Sequence, residues 1–368
     1  MRRRARFTLL MIMAGTLLFG CAKKTIEDSD PHVETSTADI QRPEKTLAGT
    51  QIEGKPSLYD ASSVYEKEGY QIRDMHAYGD SGIFILYSGI SDSVISLYSV
   101  TTGTEIKNIK MEDVAFSKDS SLSVSNSQLV YVYDESSNLF CYFDVEQSKY
   151  TVITTDFESE SIYVENTGKS IYFTKADDCK LYQYIFETGK SQAIYDMTGK
   201  AQGIKIINIE NNSQKAIVEV QKNGKNQYVR IDIASGTEEV LHDAEGDLYY
   251  VGEVYVTVPR TDEVFINVYN SEKPRIVEKF YLDMPEELDN MKLYSGNPYL
   301  LTLVEEDEGT TLRFYSLSRG IMNNMVVLPK KFDIIDASYL SMDQTLCIEV
   351  ADENGEIGLV FWDLEASK

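Results

Sequence analysis

The chain has 368 residues, 42% of them hydrophobic, and a formal net charge of −24 from 35 basic and 59 acidic side chains. Neutralising a phosphate backbone needs clustered Lys and Arg, so this balance excludes nucleic acid as a partner and disfavours lying flat on anionic headgroups. The four cysteines lack metal-ligand spacing, which removes a zinc site from consideration.

The first element is a leader over residues 1–20. Arg2, Arg3, Arg4 and Arg6 precede an apolar run from Phe7 to Phe19 that is too short to persist as a spanning helix. Leu18-Phe19-Gly20-Cys21 resembles the bacterial lipobox, with Phe19 bulkier than the usual Ala or Ser. The resemblance implies cleavage after Gly20 and diacylglycerol on the Cys21 thiol. One acyl chain holds a bilayer only marginally, whereas two or three anchor firmly. The expectation is an exported protein, anchored to a bacterial membrane and facing the cell surface or the periplasm.

Residues 21–57 carry the lipidated cysteine and a stretch rich in Thr, Ser, Asp, Glu and Lys, with few large apolar side chains. Such a composition buries too little to order itself and reads as a tether.

From residue 58 to 368 the chain is built of short runs rich in Tyr, Val, Ile and Phe. Ile83-Phe84-Ile85-Leu86-Tyr87 and Leu129-Val130-Tyr131-Val132-Tyr133 are two, and Leu300-Leu301-Thr302-Leu303-Val304 is a later one. β-branched and aromatic residues between Gly, Asn, Asp and Ser turns predict strands. A recurring phrase sets a period of about 40 to 45 residues: Tyr98-Ser99-Val100-Thr101-Thr102-Gly103, Phe143-Asp144-Val145-Glu146-Gln147-Ser148, Tyr184-Ile185-Phe186-Glu187-Thr188-Gly189 and Ile231-Asp232-Ile233-Ala234-Ser235-Gly236. A degenerate copy ends near Glu272. Tyr315 to Gly320 and Trp362 to Ser367 follow, giving seven. Four strands per period, repeated seven times, predict an all-β, seven-bladed β-propeller of four-stranded antiparallel blades. The repeats resemble the WD-repeat, YncE-like and TolB-like propellers of bacterial extracytoplasmic proteins. Only Trp362-Asp363 matches a WD dipeptide, so the resemblance is to architecture. The propeller lipoprotein of the barrel-assembly machinery has eight blades, and the count of seven weighs against it.

With strands A to D in each blade, the last phrase ends strand C of blade seven and leaves that blade without an outer strand. Residues Leu58 to Tyr65, ahead of a first A strand near Tyr70 to Ala77, are expected to supply it and close the ring.

In this register the B–C hairpin tips share one face with the D–A crossovers. The candidate binding acids there are Asp113, Asp156, Asp243, Asp283 and Asp333 on the crossovers, and Asp177, Asp178, Glu306 and Asp307 at the tips. Lys222, Lys225, Lys330 and Lys331 are the basic exceptions. The readings stand side by side: a docking face for a cationic envelope protein or weak Ca²⁺ sites built from the carboxylates, or simply the residues that hairpin tips need. Since no calcium loop of the Asp-x-Asp-x-Asp-Gly kind appears, no cofactor is assigned. Cys141, Cys179 and Cys347 fall in strand-like stretches and read as buried thiols, with a Cys141–Cys179 disulfide as the alternative.

Catalysis finds little support. His32 lies in the tether, His76 and His242 fall in or at the end of strands, and no nucleophile elbow, zinc motif or phosphate loop is present. The expected function is a non-enzymatic protein-interaction or scaffold module, monomeric and lipid-anchored through Cys21. The alternative is a polysaccharide- or small-ligand-binding lipoprotein, and a propeller hydrolase or lyase ranks below both.

Overall fold

In a computed structural model, residues 46–366 are described apart from 80, 125–128, 155–160, 166–168, 176–177, 211–213, 244–246, 252–253, 259–264, 271–275, 282–290, 297–298, 308, 317–320 and 341–343. Two short strands come first, β1 (Thr50–Gln51) and β2 (Leu58–Asp60), followed by a 3-10 turn at Ser62–Val64. Blade one is β3 (Gln71–Tyr78), β4 (Gly82–Ser88), β5 (Ser93–Ser99) and β6 (Glu105–Met111). Blade two is β7 (Ser120–Val124), β8 (Leu129–Asp134), β9 (Leu139–Asp144) and β10 (Lys149–Thr154). Blade three is β11 (Ile162–Val164), β12 (Ser170–Phe173), β13 (Lys180–Ile185) and β14 (Lys190–Asp196). Blade four is β15 (Gly203–Glu210), β16 (Lys215–Lys222), β17 (Lys225–Asp232) and β18 (Glu238–Asp243). Blade five is β19 (Asp247–Val251), β20 (Val254–Val258), β21 (Phe265–Asn270) and β22 (Ile276–Tyr281). Blade six is β23 (Met291–Gly296), β24 (Tyr299–Glu306), β25 (Gly309–Ser316) and β26 (Ile321–Pro329). Blade seven contributes β27 (Asp333–Leu340), β28 (Thr345–Ala351) and β29 (Ile357–Asp363).

Each blade is an antiparallel meander in chain order, and β1 and β2 complete the seventh sheet in the order β1-β2-β29-β28-β27. The predicted seven-bladed propeller is therefore what the chain forms. Innermost strands adjoin from β11 through β15, β19 and β23 to β27, and from β27 through β3 to β7. Blades two and three join through a cluster of Tyr131, Tyr133, Phe140, Val164, Ile171 and Phe173.

The core lies between blades. In β4, Phe84 and Leu86 pack toward blade two while Ile83, Ile85 and Tyr87 pack toward blade seven. Both faces of such a strand are covered, so it is continuously apolar where a one-sided strand would alternate. The outer strands answer to a different demand: β6 reads Glu-Ile-Lys-Asn-Ile-Lys-Met and shows mainly exposed side chains.

The recurring phrase forms the C–D turn. Asp144 Oδ1 accepts the Gln147 N–H at 2.8 Å, Asp232 Oδ1 that of Ser235 at 2.8 Å and Asp363 Oδ1 that of Glu365 at 2.9 Å. An aspartate one place before the turn thus supplies its backbone donor with an acceptor. Gly103 and Gly236 occupy the left-handed position of this turn, at φ +67° and +69°.

Ring closure follows the expected route in shortened form. Strand β2 pairs antiparallel with β29, Leu58 opposite Trp362, Tyr59 opposite Phe361 and Asp60 opposite Val360. It stops at Asp60 because Asp60 Oδ1 accepts the Ser62 N–H at 3.1 Å and turns the chain, and the Ser62 hydroxyl then accepts the Leu359 N–H at 3.1 Å. The packed domain also begins upstream of residue 58. Leu47 is buried against blades one and seven, Ala48 donates to the Val100 carbonyl, and β1 adds a fifth strand. Average composition over residues 21–57 hides these few apolar anchors.

Candidate functional site

The shared face of tips and crossovers is documented by direct contacts. The Tyr70 hydroxyl, on the crossover into blade one, donates to Asp92 at the first B–C tip at 2.8 Å. Ser117, on the next crossover, gives its N–H and its hydroxyl to Asp134 at 2.9 and 2.7 Å. Cys179 Sγ donates to the Ala201 carbonyl at 3.2 Å, and Lys330 Nζ to the Asp307 carbonyl at 3.4 Å. Antiparallel strands of matched length bring these loops together, and the side chains then tie them.

Several tip acids are committed to that task. Asp92 also pairs with Lys110 at 2.8 Å, and the hydrogen bonds from Lys110 and Tyr70 hold its carboxyl below the usual carboxylate range. Asp134 is buried and also accepts the Ser136 N–H at 3.0 Å. Asp352 accepts the N–H groups of Asn354 and Glu356, both at 2.8 Å, and these lower its pKa. Such carboxylates shape turns. A second set is exposed on the same face: Glu66, Glu68, Glu112, Glu135, Glu353 and Glu356.

Of the acids singled out in the sequence, Asp113 lies exposed on the crossover into blade two, in the left-handed region at φ +61°. Asp333 is exposed at the start of β27, and Asp307 is exposed in its hairpin tip. Asp178 is half-buried and accepts the Tyr182 hydroxyl, and Lys175 stands 5.0 Å over the same ring. Asp243 and Glu306 end β18 and β24. Asp156, Asp177, Asp283 and Cys21 lie outside the described residues. These acids are spread around the face, and among the described residues no three His, Cys, Asp or Glu side chains converge to hold a metal ion. Three of the four basic exceptions are engaged: Lys222 reaches Glu238 at 3.7 Å, Lys330 reaches the Asp307 carbonyl, and Lys331 lies 4.6 Å over the Phe332 ring, while Lys225 is exposed.

One feature escapes the sequence. A shallow polar cleft of about 460 Å³ opens beside the closing strands, lined by Thr50, Gln51, Ile52, Glu53, Asp60, Ser62, Ser63, Glu66 and Lys331. The apolar spacing of Leu47, Ile52 and Leu58 was the available signal that this segment packs. Among the described residues no helix is long and apolar enough to cross a membrane.

His76 sits half-buried on β3, where desolvation pushes its imidazole down to about 4. No disulfide joins Cys141 to Cys179, which corrects the disulfide alternative. Cys141 lies between blades one and two with its Sγ 4.0 Å from Met111 Sδ, whereas Cys179 packs with blades three and four. Similar positions in successive repeats face different interfaces. Burial pushes the Cys141 thiol up to about 12.

No protein-family model and no curated protein sequence matches the chain. Similar solved structures include a prolyl endopeptidase, with a TM-score of 0.58 at 11% identity over 82% of this chain and 49% of that one. The chain thus spans about half the length of that enzyme. The β-propeller domain of Myceliophteria thermophila Cps50 (Swd1) gives a TM-score of 0.52 at 8% identity, over 80% of this chain and 99% of that one. KlHsv2 with its loop 6CD replaced by a Gly-Ser linker gives 0.51 at 12% identity, over 79% and 97%. At these identities the likeness is one of fold.

Proposed function

We propose that this propeller is a non-enzymatic scaffold, exported and anchored to a bacterial membrane through lipid on Cys21, that docks a cationic envelope protein on its tip-and-crossover face. The observation that carries the reading is the division of labour among the acids of that face. Asp92, Asp134 and Asp352 fix the loops, while Glu112, Glu135, Glu353 and Glu356 project from them. Rigidly held loops bearing one sign of charge favour electrostatic docking, and a net charge of −24 extends the field. The test is in-cell crosslinking and pull-down of the lipidated protein, comparing wild type with Glu112, Glu135, Glu353 and Glu356 all changed to Lys. Loss of the crosslinked partner is expected, and equal recovery from the variant would overturn the docking face. Labelling with a fatty-acid analogue, abolished by C21S, tests the anchor separately.

The reading as a polysaccharide- or small-ligand-binding lipoprotein needs aromatic rings displayed to solvent. Among the described residues Tyr65, Tyr87, Tyr98, Tyr131, Tyr133, Tyr163, Tyr172, Tyr228 and Tyr315 are buried, and Tyr70 and Tyr182 on the loop face are half-buried with their hydroxyls held by Asp92 and Asp178, which favours the scaffold.

A further inference from the structure

The outermost strand of a blade presents a row of unpaired backbone groups, and native sheets blunt such edges with charges, bulges, proline or shortness. The described outer strands do so, with one exception. Strand β6 carries Glu105, Lys107 and Lys110 and bulges at Ile106. Strand β14 carries Lys190 and Asp196 and bulges at Ile194, and β18 carries Glu238, Glu239 and Asp243 and bulges at Leu241. Strand β22 carries Glu278 and Lys279 and bulges at Val277. Strand β26 is uncharged but bulges at Asn323 and ends on Pro329, and β1 has only two residues. Strand β10 has neither bulge nor proline, and its one charge stands at its end. Its sequence is Lys-Tyr-Thr-Val-Ile-Thr, charged only at its first residue, and its register with β9 runs unbroken from Lys149 opposite Asp144 to Thr154 opposite Leu139.

The same strand shows apolar side chains to water. Tyr150 and Val152 are 36% and 37% exposed, on the side where their strand partners Phe143 and Cys141 pack toward blade one. Strand β6 runs alongside and adds Ile106, 61% exposed. A straight edge charged only at its end, beside an exposed apolar strip, is the geometry of strand addition, in which backbone hydrogen bonds give affinity and alternate side chains give fit.

We propose that β10 is an association edge through which two copies of the chain pair antiparallel about a twofold axis. The strand is compatible with its own sequence. With the axis at Thr151, Lys149 falls opposite Ile153 and Tyr150 opposite Val152; with the axis at Val152, Tyr150 falls opposite Thr154 and Thr151 opposite Ile153. In neither register do like charges meet, and aromatic-to-β-branched pairs form in both. An isologous contact of this kind closes at two copies.

The experiment is sedimentation of the full chain in density-matched detergent over a concentration series, with amide hydrogen exchange as a second readout. Expected are a monomer–dimer equilibrium and slowed exchange over 149–154 as the dimer forms. V152K weakens the dimer about tenfold or more by placing a charge on the edge. Because Val152 is partly exposed, the melting temperature of V152K is unchanged; Y150E serves as the second variant. A monomer at every concentration, including one whose β10 captures only a foreign strand, overturns the proposal. So does a dimer whose strength and exchange pattern ignore both variants.

Discussion

Leu58→Ala tests whether the short closing strand holds the whole ring. Leu58 is fully buried, opposite Trp362, in a cluster that includes Phe314, Leu346, Val360 and Leu364. Removing its branched side chain from such a site costs about 2 to 5 kcal/mol, against a total of about 5 to 15 kcal/mol for a typical domain. The loss is amplified by position. Strand β2 pairs with β29 over only three residues, and undocking it also exposes Leu47 and Tyr65, each buried side chain contributing about 1.5 to 3 kcal/mol. The assay is urea denaturation followed by two probes. Trp362, the sole tryptophan, reports the seam itself, and far-ultraviolet circular dichroism reports all seven blades. Both transitions are expected to move together to lower urea in L58A, and deletion through Gly69 should abolish the folded transition. If Trp362 fluorescence shifts while the dichroism midpoint stays put, the ring survives open and the reasoning is wrong.

Gly103 and Gly236 share a turn position and a left-handed φ but differ in surroundings. A Cβ on Gly103 would stand 2.6 Å from Val64 Cγ1 and 3.0 Å from Ala48 Cβ, whereas on Gly236 it would meet only Tyr195 at 3.9 Å. Gly236→Ala should therefore cost about 1 kcal/mol from conformation alone, and Gly103→Ala measurably more, by the shift of the urea midpoint. His76, held neutral in the fold down to about pH 4, protonates near 6.5 in the unfolded chain, so the unfolded state binds the extra proton between those values. Stability should be level above pH 6.5 and fall by about 3 kcal/mol toward pH 4, and H76Q should lose that slope. Among Cys141, Cys179 and Cys347, native-state thiol titration should modify only half-buried Cys179, and equal labelling of all three would contradict the described packing.

The repeat was legible because Gly103, Ser148, Gly189 and Gly236 take the left-handed place of their C–D turns and Asp144, Asp232 and Asp363 supply an acceptor just before theirs, which marks the period even where strand sequences diverge. Closure was legible from a missing strand, since an uncovered β29 would leave its backbone edge open. The start of the packed domain was not, because Leu47, Ile52 and Leu58 are sparse anchors in polar sequence, and only contacts with Val100, β29 and blade one give them meaning. The acids of the loop face were legible as a set but not in their division. Asp134 and Glu135 are adjacent in sequence, yet one is buried in a turn and the other points to water. Which does which depends on Ser117, on another loop.

The same charge acts in opposite senses on the two proposed contacts, and this makes them separable. Docking of a cationic partner on Glu112, Glu135, Glu353 and Glu356 gains from long-range attraction, so added salt should weaken it by shortening the Debye length from about 30 Å at 0.01 M to about 3 Å at 1 M. Pairing of two β10 strands brings together two bodies of charge −24 through an edge that carries one lysine at its end, so the repulsion is long-ranged while the attraction is local. Added salt should strengthen that pairing. A single salt titration read by crosslinking and by sedimentation should give slopes of opposite sign. V152K should remove only the second slope, whereas the four Lys replacements on the loop face should remove the first and, by making each body eight charges less negative, flatten the second without abolishing it. Slopes of the same sign would mean that one of the two surfaces has been assigned to the wrong kind of partner.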